Sequence, residues 1–132
     1  MTIPVNYFSE WRENIVLSRN ANPWTYTFYP RGFGGRWGGD YGVAGITPRL
    51  QFRLYEGAPM ALLSIGTSGA SRLEAQRHQV VAMISQADLA ALPMPAELGA
   101  PLILHYDLLV ATPNGEGVSH FGTATIRTGV TR

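Results

Sequence analysis

The sequence predicts an all-β fold, a two-sheet antiparallel β-sandwich of seven to eight strands with one short helix. Three observations carry that prediction. Apolar residues recur with a period of two, most clearly at Leu50, Phe52 and Leu54 between Arg49, Gln51 and Arg53, the pattern of a half-buried strand. Fifteen glycines and nine prolines cut the chain into short stretches, with turn signals mostly about 8 to 12 residues apart. Only residues 85–92 have apolar residues at helical spacing. A chain of 132 residues, 45% of them hydrophobic, has material for one core and not for two full domains. An OB-like barrel is the nearest rival plan.

The elements follow in order. Residues 15–17 read as an edge strand, closed by the turn-forming Asn20, Ala21, Asn22 and Pro23. Trp24, Tyr26 and Phe28 share one face of the next strand, with Thr25 and Thr27 between them, and Pro30 ends it. Leu50, Phe52 and Leu54 of the following strand are expected to face the core. Strands are expected at residues 61–65, 71–76 and 79–84. Ser85 is the expected N-cap of the helix and Pro93 its stop, and the helix is expected to bridge the two sheets. Residues 102–110 return to strand, and Thr112-Pro113-Asn114-Gly115 turns the chain into a final hairpin with residues 118–127. Residues 1–12 form an N-terminal arm with no strand partner of their own, and residues 13–132 form the sandwich.

Several chemistries are excluded or poorly supported. Ten arginines, no lysine and nine acidic residues give a net charge of +1, without the cationic excess of a nucleic-acid surface. With no cysteine there is no disulfide, thiolate metal site or cysteine nucleophile. No apolar run approaches the roughly 20 residues of a membrane span, and the start lacks a signal-peptide pattern, so a soluble chain not exported by that route is expected. His78, His105 and His120 lie outside metal-ligand spacing of one another. His105 and His120 are expected to face solvent opposite each other on the last two strands. Ser119 and His120 are neighbours, which on a regular strand places them on opposite faces and forbids a nucleophile–base bond. Tyr106 sits where the hydroxyl of a tyrosine corner would bond back to the preceding loop. No catalytic residue, cofactor or metal is expected.

Residues 31–46 break the strand pattern with seven glycines, three aromatics and two arginines. The glycine spacing fits neither a dinucleotide fingerprint nor a P-loop, whereas arginine and aromatic residues are enriched at interface centres. Arg31, Phe33, Arg36, Trp37 and Tyr41 are therefore candidate partner-binding residues, joined by Tyr7, Phe8 and Trp11 of the arm.

The order of Thr47-Pro48-Arg49-Leu50-Gln51-Phe52-Arg53, Ala61-Leu62-Leu63-Ser64-Ile65, Leu89-Ala90-Ala91-Leu92-Pro93, Tyr106-Asp107-Leu108, Pro113-Asn114-Gly115 and the closing Gly129-Val130 resembles the immunoglobulin-like domains of tailed-phage tail proteins. The similarity is to the N-terminal domain of baseplate upper proteins and covers nearly the whole chain from Asn14 onward. It departs at residues 31–45 and 94–100, which are candidates for this chain's own contact elements. The resemblance implies an immunoglobulin-like sandwich and a structural component of a phage virion. Its expected partners are other virion proteins of the tail, neck or baseplate (fibre or adaptor docking), in a homo-oligomeric ring or lattice, with no nucleic acid and no membrane. A capsid decoration protein is the alternative within that class. A carbohydrate-binding module, with Trp11, Trp24, Trp37 and Tyr41 as stacking platforms, is the alternative outside it.

Overall fold

The computed structural model describes residues 8–9, 11–29, 31–32, 47–76, 79–95, 97, 99–112 and 115–127. In chain order the elements are β1 (Phe8–Ser9), β2 (Trp11–Arg12), β3 (Ile15–Ser18), β4 (Trp24–Phe28), β5 (Arg31–Gly32), β6 (Thr47–Arg53), β7 (Leu63–Ile65), β8 (Arg72–Gln76), β9 (Gln79–Ile84), α1 (Gln86–Ala91), β10 (Leu102–Thr112) and β11 (Gly115–Arg127). The larger sheet runs β2-β11-β10-β6-β7, with β3 also on β11, and the smaller runs β4-β9-β8. This is the strand order of an immunoglobulin-like sandwich. β4, β9 and β8 correspond to its B, E and D strands, and β6, β10 and β11 to C, F and G, with β7 added beside C.

Alternation builds the core. Leu50 and Phe52 of β6, Leu104, Tyr106, Leu108 and Val110 of β10, and Ala124 and Ile126 of β11 meet Phe28, Leu73, Val80, Ala82 and Ile84 of the smaller sheet. Ser85 caps α1 as expected, accepting from the Asp88 N–H at 3.2 Å. A helix of six residues is too short to persist alone. Buried Leu89 and Leu92 seat it, and the Arg19 guanidinium closes its other end, donating to the carbonyls of Leu89 at 3.1 Å and Leu92 at 2.9 Å and to that of Pro93. This clasp satisfies carbonyls that a helix C-terminus leaves open and sets a cation against the negative end of the helix.

Four expectations change. Leu54 is exposed, because β6 ends at Arg53 and the chain there enters a turn in which the Ala58 N–H bonds the Tyr55 carbonyl at 3.1 Å. The final segment of the arm does have partners: Phe8 and Ser9 pair with Gly32 and Arg31, and Trp11 and Arg12 run parallel to His120 and Phe121. β3 is also parallel to β11, so the larger sheet is antiparallel except at that edge. The hydroxyl of Tyr106 bonds the carbonyl of Glu13 at 2.5 Å rather than the preceding loop.

Candidate functional site

The densest group of polar side chains in the interior forms where β11 carries an extra residue. Leu108 faces His120 but Leu109 faces Val118, so Ser119 is the inserted residue of a β-bulge. The bulge resets the alternation, and Ser119 and His120 both turn inward, 0% and 1% exposed. Their expected separation onto opposite faces fails for that reason: Ser119 Oγ lies 3.0 Å from His120 Nδ1. His120 is likewise not opposite His105, which pairs with Thr123 and lies on the outer face.

Glu13 completes the group. Its carboxylate lies 3.8 Å from His120 Nε2 and accepts from the Tyr26 hydroxyl, while its backbone N–H donates to the Phe121 carbonyl at 2.8 Å and its carbonyl accepts from Tyr106. Serine, imidazole and carboxylate thus stand in the sequence of a nucleophile, base and acid. The serine and the imidazole are fully buried, and the Phe28 ring packs 5.2 Å from the imidazole. Burial, reinforced by the carboxylates of Glu13 and Asp107, holds the Tyr106 hydroxyl well above its ordinary pKa and keeps it a neutral donor. The backbone of Glu13 and Asn14 crosses directly over Gly122. A Cβ there would lie 2.6 Å from the Glu13 carbonyl oxygen, and the Asn14 side chain accepts from the Thr123 N–H at 3.1 Å between the two parallel strands.

Among the predicted contact residues, Trp11 is exposed on β2. The backbones of Phe8 and Arg31 are brought into one two-stranded ribbon, Phe8 opposite Gly32 and Ser9 opposite Arg31. Tyr7, Phe33, Arg36, Trp37 and Tyr41, and the side chains of Phe8 and Arg31, lie outside the described residues, as does His78. Trp24, considered as a sugar platform, is committed elsewhere: its indole N–H donates to the Val16 carbonyl at 3.1 Å and its ring stacks on Tyr26 at 5.7 Å.

No spacing around His105 and Asp107 predicts a groove, yet one of 280 Å³ lies on the outer face of the larger sheet, lined by Arg12, Leu54, Tyr55, Ile103, His105 and Thr123. Its residues come from four separate parts of the chain, a convergence that no local spacing signals. Among the described residues no group of three or more His, Cys, Asp or Glu is placed to hold a metal ion, and no helix is long and apolar enough to cross a membrane. No family model matches the chain, and no curated protein matches it.

Proposed function

We propose that the chain is a non-catalytic structural module of a tailed-phage virion, attaching neighbouring subunits at the tail, neck or baseplate. The observation that supports this reading is the β1–β5 ribbon, which joins the N-terminal arm to the first residues of the glycine-rich segment 31–46. The backbones of the arm and of the start of segment 31–46, the two segments that hold the candidate contact residues, are therefore paired beside an immunoglobulin-like frame. The sequence resemblance to tail-protein domains points to the same role. Partners would be virion proteins, including further copies of this chain, rather than nucleic acid or membrane. Quantitative mass spectrometry of purified particles of the encoding phage tests it by counting copies against the major capsid and tail proteins. A count matching a tail ring is expected. A count in the hundreds would make the chain a capsid decoration protein, and absence from the particle would overturn the virion reading.

A further inference from the structure

The groove on the outer face of the larger sheet lies between the start of β10, the middle of β11 and the turn after β6. At 280 Å³ it falls just below the size at which drug-sized ligand sites begin, about 300 Å³. Tyr55 and Ile103, each 58% exposed, and exposed Leu54 give it an apolar rim.

The groove gathers several polar groups whose hydrogen-bonding capacity is open. On the neighbouring part of this face, three side chains are bonded to one another or to backbone. Arg53 donates to the Ala58 carbonyl at 3.0 Å and to Gln51 Oε1 at 2.7 Å, and Gln51 donates to Ser64 at 3.3 Å. In the groove, the Arg12 guanidinium stacks 5.0 Å over the Phe121 ring and has no hydrogen-bond partner among the described residues. The Tyr55 and Thr123 hydroxyls and the Glu56 carboxylate likewise have none among those residues. His105 contributes an imidazole whose Nε2 is fixed 3.2 Å from Asp107. An exposed ring is thus surrounded by a guanidinium, a carboxylate, an imidazole and a hydroxyl, three of which are unspent.

We propose that this groove binds a neutral oligosaccharide. The Tyr55 ring stacks on the C–H face of a pyranose, and Arg12, Glu56 and Thr123 bond its hydroxyls. Planar charged groups suit vicinal hydroxyls because they offer paired donors or paired acceptors. Cation and anion occur together, so the site does not select an anionic ligand. β6, β10 and β11 are each paired on both sides, so these three strands offer no open edge to an added peptide strand. Arg12 is held in place by Phe121, and the remaining wall stands on paired strands, which limits the ordering cost of binding.

This inference is independent of subunit attachment and is tested on the full chain in solution, whatever its copy number in particles. The isotope-labelled protein is titrated with cellotetraose, maltotetraose and chitotetraose while amide shifts are followed. Saturable shifts are expected with at least one sugar, confined to residues 12, 54–56, 103–105 and 122–123. Tyr55→Ala is expected to weaken binding about tenfold with an unchanged melting transition. Thr123→Val, which removes one hydroxyl, provides a second reading should Tyr55→Ala disturb the fold, and is expected to weaken binding severalfold. The proposal is overturned if none of the three sugars shifts these amides at millimolar concentration, if the shifts fall elsewhere, or if the folded variants bind like the parent chain.

Discussion

The hydroxyl of Tyr106 reaches 2.5 Å to the carbonyl of Glu13, a residue 93 positions earlier in the chain, and so ties the last hairpin to the start of the sandwich. Tyr106→Phe removes that donor and leaves a part-buried carbonyl with one fewer partner. Stability is expected to fall by about 1–2 kcal/mol, seen as a lower urea midpoint with an unchanged slope. The same residue sets an alkaline response. Below the ordinary tyrosine value of 10.0 both folded and unfolded chains hold its proton, and its contribution is constant. Above that pH the unfolded chain releases the proton while the folded chain keeps it, so stability declines as pH rises. Urea midpoints measured on either side of about pH 10 should show this decline in the parent and a shallower one in Tyr106→Phe. Gly122 serves the same junction from below. Gly122→Ala would bring a methyl group against backbone, not a flexible side-chain end, and is expected to cost about 2 kcal/mol or more in a denaturation experiment.

At the scale of elements, α1 depends on contacts from outside itself. Arg19→Met keeps much of the packing stem but removes three carbonyl bonds, and is expected to cost about 2–4 kcal/mol and to speed amide exchange at residues 89–92. Arg19→Lys should recover only part of the loss, because an ammonium cannot reproduce the fork that reaches three carbonyls at once. The helix itself was legible from Ser85, the Leu89–Leu92 spacing and Pro93. Its clasp was not, since nothing near Arg19 in sequence refers to a carbonyl 70 residues away. A similar division runs through the strands. Alternation placed Leu50 and Phe52 in the core, because a half-buried strand writes its two faces into its own sequence, and the same alternation buries Leu104, Tyr106 and Leu108 of β10. It misplaced Leu54, where the strand had already ended, and it misread Ser119 and His120, where one inserted residue moves both side chains inward. Bulges and turns are decided by the partner strand, so the buried cluster built on one of them had no signature of its own.

For the whole molecule, the N-terminal arm is not unpaired, since β1 pairs with β5 and β2 joins the larger sheet beside β11. β1 pairs only with β5, through Phe8–Gly32 and Ser9–Arg31, and it also lies near β11 without joining either main sheet. Glu13 by contrast is bound through its N–H, its carbonyl and its carboxylate, which also lies 3.8 Å from buried His120. Two truncations separate these roles. Deletion of residues 1–9 should leave the melting transition within a few degrees of the parent, since the Tyr106, Tyr26 and Phe121 contacts to Glu13 all remain. If the attachment reading holds, that shortened chain should fold yet fail to enter particles. Deletion of residues 1–14 removes the acceptor of Tyr106 and the lid over Gly122, and opens Ser119 and His120 to solvent. A loss of about 3 kcal/mol or more is expected. Circular dichroism melts of the two chains, set beside particle incorporation of the shorter deletion, distinguish a segment that serves a neighbour from one that serves the fold. Equal destabilisation by both deletions would place the β1–β5 ribbon in the frame itself and withdraw its support from the attachment reading.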